Sequence, residues 1–156
     1  MPGQSRAALP TFLPARDSLA NEMNGIADTG FIVAFARQND EHHDWAVGIA
    51  RQVTAPLLTC EAVLAETAFH LQASGYVLAL LQDGLLRLAF DCSRHLEKLS
   101  ELARRYEDRH PDLADLCLIR MSELYPRHAV ITVDADFRIY RRHKREVIPT
   151  VYPPKK

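Results

Sequence analysis

Short apolar runs, each too brief for a helix, recur along this chain and alternate with segments of helical length. The runs are Gly25 to Ala27, Pro56 to Thr59, Leu85 to Phe90 and Ala129 to Val133. Val147 to Pro149 is a last short one, suited to a sheet edge, where the N–H that Pro149 lacks is not needed. Between the runs, Phe31 to Ala36, His43 to Val53, Cys60 to Ala73, Tyr76 to Gln82, Arg94 to Glu107 and Asp112 to Leu124 read as helices. Strands alternating with helices call for crossover connections, hence a mainly parallel sheet covered by helices. The expectation is a single-domain, three-layer α/β/α sandwich, because 156 residues suffice for one sizeable core and no repeat or linker follows Met23.

Local signals refine this outline. Thr59 precedes Cys60-Glu61-Ala62 and reads as a helix N-cap, and Pro111-Asp112 opens the helix that ends at Leu124. Cys60, Val63, Leu64, Ala68 and Leu71 form one apolar stripe, while Ala62, Ala65 and Phe69 cover the other side. A helix apolar all round is expected to be buried. Residues 1–22 carry Pro2, Pro10 and Pro14, show no periodicity, and read as a flexible extension before a domain over residues 23–156. Ala7-Ala8-Leu9, broken by Pro10, is too short for a secretory signal. No apolar run approaches the roughly 20 residues that cross a bilayer.

With 47% hydrophobic and 25% charged residues the chain reads as a soluble globular protein. A net charge of -1 gives no global pull toward nucleic acid or membrane, so any polyanion must be held by a local patch. Cys60, Cys92 and Cys117 are odd in number, far apart and without a CxxC pair. That argues against a disulfide framework or a zinc site and suits a reducing cytoplasm.

Four carboxylates stand at the ends of, or inside, apolar elements. Asp28 follows Gly25 to Ala27, and Asp134 follows Ala129 to Val133. Glu66 is set in the apolar stretch Ala62 to Leu71, and Asp115 lies in the first turn of the last long helix. In open α/β sheets the strand ends form the ligand-binding edge, so Asp28 and Asp134 could stand side by side with Glu66 and Asp115 flanking them. Clustered carboxylates repel, and a hard divalent cation such as Mg²⁺ or Mn²⁺ would relieve the conflict. Water on such an ion, aimed at a phosphodiester, gives hydrolysis. Ordinary roles are open to the same acids. Asp112 suits an N-cap, Asp115 the helix dipole, and Asp28, Asp134 and Asp136 turns that bond their own backbone. Glu66 has the least obvious structural role.

In order, the blocks Asp28-Thr29-Gly30-Phe31, Thr59 to Glu66, Asp112-Leu113-Ala114-Asp115 and Thr132-Val133-Asp134-Ala135-Asp136-Phe137 resemble those of the PIN-domain family. The likeness covers roughly Gly25 to Pro149 and is closest to the VapC-like ribonuclease toxins of toxin–antitoxin pairs. It implies an Mg²⁺- or Mn²⁺-dependent endoribonuclease acting on single-stranded RNA. Asp28, Glu66, Asp115 and Asp134 would be its acidic set, with Asp28, Asp115 and Asp134 as metal ligands. Thr29, Thr132, Asp112 and Asp136 would support them. The fourth block offers both Asp134 and Asp136, and Asp134 is preferred because it follows the strand directly. Asp115 is preferred over Asp112, which has the capping role. The same resemblance implies a cognate antitoxin and a homodimer. Two other functions stay open: a non-catalytic RNA-binding or assembly module of the same fold, and a DNA-directed nuclease.

The basic run after the fourth block, with Arg138, Arg141, Arg142 and Lys144, is a candidate grip on RNA phosphates, although such runs are commonly plain solvated surface. Trp45 reads as core rather than as a base-stacking platform. His42-His43 lacks zinc-site spacing, and no His neighbours Cys60 in sequence to make a thiol hydrolase.

Overall fold

The computed structural model describes residues 23–155; the expected extension over residues 1–22 lies outside them. In chain order come β1 (Gly25–Ala27), α1 (Thr29–Ala36), α2 (His43–Gln52), β2 (Leu57–Thr59), α3 (Glu61–Leu71), α4 (Ser74–Gln82) and β3 (Leu86–Leu88). Then follow α5 (Leu96–Arg105), α6 (Leu113–Leu124), β4 (Ala129–Ile131), β5 (Arg141–Arg142), β6 (Glu146–Val147) and β7 (Thr150–Val151).

Five strands make one sheet in the order β3-β2-β1-β4-β7, and every pairing in it is parallel. Central β1 pairs Ile26 with Leu58 on one side and with Val130 on the other. Strands covered on both faces need apolar side chains at every position. The sequence provides them: Ile26, Ala27, Leu57, Leu58, Val130 and Ile131 are all buried. Helices cover the sheet to give the three-layer α/β/α sandwich, with α6 against β1 and β4 and α5 packed on α6. α6 is buried almost all round, through Ala114, Leu116, Cys117, Leu118, Ile119 and Met121. Each large apolar side chain enclosed in this way stabilises the fold by about 1.5–3 kcal/mol. Trp45 packs edge-on against Phe31, ring centroids 5.9 Å apart, and so belongs to the core margin.

One glycine positions the strand ends. A Cβ on Gly30 would run into the Val133 side chain, so glycine lets the first turn of α1 press against the end of β4. That approach brings the residues after β1 and β4 together.

Several expected boundaries are corrected. Thr59 does not cap α3; it ends β2, where its hydroxyl donates to the Ala27 carbonyl (3.2 Å), and Cys60 takes the N-cap position. α3 is not a buried helix. Only Val63, Leu64 and Thr67 are buried, Ala62, Ala68 and Leu71 pack partly buried against the core, and Phe69 is 79% exposed, because α1, α4 and α6 leave its Phe69 side open. Val147 to Pro149 is not the sheet's edge strand. Val147 pairs with Arg141 in the β5–β6 hairpin, and the edge is β7, entered once the Pro149 carbonyl has accepted from Val130 N–H (2.8 Å). The segment after β3 first forms a 3-10 turn over Cys92–Arg94, so α5 begins only at Leu96.

Candidate active site

The carboxyl ends of β1 and β4 carry the first pair of acids. Asp28 leaves β1 as the N-cap of α1 and accepts from Thr29 N–H (2.7 Å) and from the Thr132 hydroxyl (2.6 Å). The same Thr132 hydroxyl accepts from Asp134 N–H (2.9 Å), so a single side chain couples the two strand ends. Asp28 is only 7% exposed. Burial pushes its carboxyl up to about 6, against the lowering effect of its two hydrogen bonds, and the nearby Asp134 and Asp112 raise it further.

Glu66 reaches the same edge from α3, where its Oε2 accepts from the Thr29 hydroxyl (2.9 Å). Burial, then a hydrogen bond with the Asp112 carboxylate, raises it to about 7. α6 delivers the remaining pair. Asp112 and Asp115 form a reciprocal capping box, with Asp115 N–H donating to Asp112 Oδ1 (2.8 Å) and Asp112 N–H donating to Asp115 Oδ2 (3.4 Å). Burial pushes Asp115 to about 7 as well, helped by the charges of Asp112, Asp28 and Asp134. Asp28, Glu66, Asp112, Asp115 and Asp134 are therefore one electrostatic group at one sheet edge. Among the described residues, none of them has a Lys or Arg within ion-pairing distance.

Placement separates the two acids of the fourth block and not those of the third. Asp136 pairs with Arg109 (3.4 Å), whereas the charge of Asp134 raises both Asp28 and Asp115, although its Oδ1 also accepts from Asp136 N–H (2.8 Å) as a turn residue would. Asp112 and Asp115 both cap α6 and both stand in the acidic group, so the capping role does not separate them. One neighbour had no signal in the sequence. Tyr140 is fully buried and its hydroxyl lies 3.5 Å from Asp115 Oδ2.

The basic run divides. Arg142 is 6% exposed and directed inward, donating to the carbonyls of Ser122 and Pro126 (both 3.1 Å) and to Glu146 Oε1 (2.6 Å). Its expected role on RNA is thus corrected to a structural one. Arg141 donates to the carbonyls of Arg138, Tyr140 and Ile139, and Arg138 lies over the Tyr152 ring at 4.3 Å. Lys144, exposed in the hairpin turn, sits at φ 68 beside His143 at φ 46. Left-handed backbone costs non-glycine residues roughly 1–2 kcal/mol each, and Glu123 offsets it by accepting from His143 N–H (2.6 Å). Arg142→Ala is expected to lose about 2–4 kcal/mol of stability, because buried carbonyls lose their donor. Urea unfolding checks this; reduced RNA affinity with unchanged stability would contradict it.

The donor set suits a hard divalent cation: several carboxylate oxygens, with raised proton affinities that mark uncompensated charge. Among the described residues no three His, Cys, Asp or Glu side chains are gathered closely enough to hold an ion as they stand. The fit is one of donor chemistry and charge. A family model described as PIN domain matches residues 26–142, three quarters of the chain. No curated protein matches it. Among the described residues no helix is long and apolar enough to cross a membrane.

Proposed function

The chain belongs to the PIN-domain family, a fold of metal-dependent nucleases in general, and from that premise we propose that it is an Mg²⁺- or Mn²⁺-dependent endoribonuclease cleaving single-stranded RNA. The observation that carries this reading is the acidic edge, where three carboxylates are pushed to between about 6 and 7 with no cationic side chain among the described residues to neutralise them. Asp28, Asp115 and Asp134 are the residues that would hold the cation. When bound, it supplies charge neutralisation and a water of lowered pKa aimed at the phosphodiester.

The chain's own groups divide the remaining work. Thr132 fixes the orientation of Asp28 and of the backbone at Asp134, so the two acids keep a common aim. Glu66, held by Thr29 and titrating near neutrality, is suited to take the proton of the attacking water. Asp112 supports Glu66, and Asp136 braces Asp134 through its N–H. Arg138 and Lys144 remain as candidate phosphate contacts.

The finer biological role we propose is the toxin of a toxin–antitoxin pair, working in the cytoplasm. Its antitoxin would cover the acidic edge and offer a cationic side chain there. A homodimer is supported by exposed Phe69 and Leu78 on the neighbouring helices α3 and α4.

The test is cleavage of a panel of structured RNAs, with single-stranded DNA as a parallel substrate. Cleavage is expected with Mg²⁺ or Mn²⁺, is expected to stop with EDTA, and should return on adding excess metal. Preference for the DNA would transfer the reading to a DNA-directed nuclease. No cleavage, together with no measurable Mn²⁺ binding by calorimetry, would leave a non-catalytic module instead.

A further inference from the structure

β3 is an edge of the central sheet, and beside it lies an open trough of about 490 Å³. Arg87 and Leu88 of β3, Phe90 and His95 of the segment after it, and Leu124 and Tyr125 at the end of α6 line the trough. A space of this size is in the range of small-ligand sites. Two hydrogen bonds tie its walls together. The Tyr125 hydroxyl donates to the Ala89 carbonyl (2.8 Å), and Arg120 Nε donates to His95 Nδ1 (3.2 Å). Since Nδ1 accepts that bond, the neutral His95 ring keeps Nε2–H as its donor. Burial, then the charge of Arg120, holds the ring below the ordinary histidine range and so uncharged near neutral pH. His95 is stacked on Phe90, with centroids 4.9 Å and planes 19° apart. Cationic charge stands beside these rings. Arg87 is exposed and, among the described residues, has no carboxylate within ion-pairing distance. Asp91, the acid in the lining, is engaged by Ser93 N–H (3.0 Å), the Ser93 hydroxyl (2.6 Å) and Arg94 (3.5 Å).

We propose that this trough is a subsite for one nucleotide of a single-stranded RNA, with the base against Phe90 and His95 and the phosphate on Arg87. That the strand is RNA rests on the nuclease reading above. Flat rings beside an unpaired guanidinium fit a nucleotide on both counts, since every base has a face to stack and every phosphate a charge to pair. Leu88 and Leu124, 42% and 39% exposed, extend the apolar surface offered to the base. α6 relates the trough to the acids. Leu124 follows Asp115 by nine residues, about 14 Å along the helix axis. A strand whose phosphodiester lies at the acidic edge therefore has nearby nucleotides within reach of the trough. The subsite also meets a need. The metal-free acidic edge repels RNA, and Arg142, directed inward, leaves the basic run with fewer phosphate contacts than its sequence suggests.

The experiment follows a fluorescein-labelled, uridine-rich oligoribonucleotide binding to the full chain by anisotropy, in EDTA so that no cleavage intervenes, across a salt series. Arg87→Glu, at an exposed position without an ion-pair partner, is expected to weaken binding about tenfold or more and to lower the salt slope by about one phosphate contact. Arg51→Glu makes the same charge change on α2, outside the trough, and is expected to shift affinity by less than about twofold. Equal weakening by the two variants would reduce the effect to net charge and overturn the subsite, as would absence of binding by the wild type. A second measurement needs no variant. The same RNA carrying 5-bromouridine is photo-crosslinked to the wild type, and adducts are expected within residues 88–95 or on Tyr125. Adducts confined to the β5–β6 hairpin would overturn the proposal. Uridine monophosphate is expected to displace the strand only at about 10²-fold higher concentration, because the strand adds contacts beyond one nucleotide. Displacement at equal concentration would make the trough a site for free nucleotides and overturn its assignment to a strand. On the nuclease reading, Arg87→Glu is expected to raise KM for the oligoribonucleotide about tenfold and leave kcat within about twofold. Because binding and crosslinking need no catalysis, a protein that binds at the trough and cleaves nothing would count against the nuclease reading and leave the subsite standing.

Discussion

Asp28→Asn is expected to lower divalent-cation-dependent RNA cleavage by about 10²–10³-fold or more, the loss that follows removal of one preorganised charged group from a transition state. The same variant should fold, and it should be more stable than the parent in EDTA near neutral pH. Asparagine keeps the side chain's shape, and its Oδ1 can still accept from Thr29 N–H. The Thr132 hydroxyl can turn to accept from the new amide while retaining Asp134 N–H, since a hydroxyl oxygen has two lone pairs. What disappears is a carboxylate 7% exposed whose proton affinity has risen from 3.8 to about 6. Relieving a shift of that size is worth about 3 kcal/mol at most. Paired measurements of cleavage rate and thermal unfolding in EDTA decide the matter. Undiminished cleavage with an unchanged Mn²⁺ titration would remove Asp28 from the site.

That opposition, lost activity with gained stability, separates a functional acid from a structural one. Arg142 is the counter-example within the same fold. Its guanidinium satisfies the Ser122 and Pro126 carbonyls, so its removal costs stability first. In the sequence, Asp28 stands out after a strand-like run, whereas Arg142 is one of a basic run open both to an RNA grip and to plain solvated surface.

Period and apolar content were enough to read the layer architecture, because buried parallel strands have little freedom in composition: Gly25 to Ala27 and Ala129 to Ile131 emerge where the apolar runs stand. Legibility fails where tertiary contacts decide. Nothing local distinguishes Thr59 as strand end from Thr59 as cap; the choice falls to the Ala27 carbonyl across the sheet. The exposure of Phe69 depends on which side of α3 is left open by α1, α4 and α6. Likewise, the acids at Asp28, Glu66, Asp115 and Asp134 could be picked out as candidates from their flanking elements. Tyr140 could not, because long-range packing against α6 creates its neighbourhood.

The acidic edge should also make metal affinity and metal-free stability respond to pH in opposite directions. Asp28, Glu66 and Asp115 rise in the folded chain to about 6, 7 and 7, from ordinary values of 3.8, 4.5 and 3.8. Below the ordinary values these groups are protonated whether the chain is folded or not, and they affect stability little. Between the ordinary and the raised values the folded chain binds more protons than the unfolded one, so stability falls as pH rises from about 4 to about 7. Above that window the full repulsion remains. A cation must displace these protons to bind, hence its affinity climbs over the same range. Mn²⁺ is expected to bind about 10²–10³-fold more weakly near pH 5.5 than near pH 7.5. The Tm of the protein in EDTA should meanwhile drop across that interval, and saturating Mn²⁺ should restore most of the loss at the upper end. Asp28→Asn should flatten both trends. Calorimetric titrations and unfolding scans at a series of pH values test this together, and an Mn²⁺-induced Tm shift that does not change with pH would mean the cation and these three protons do not compete for the same oxygens.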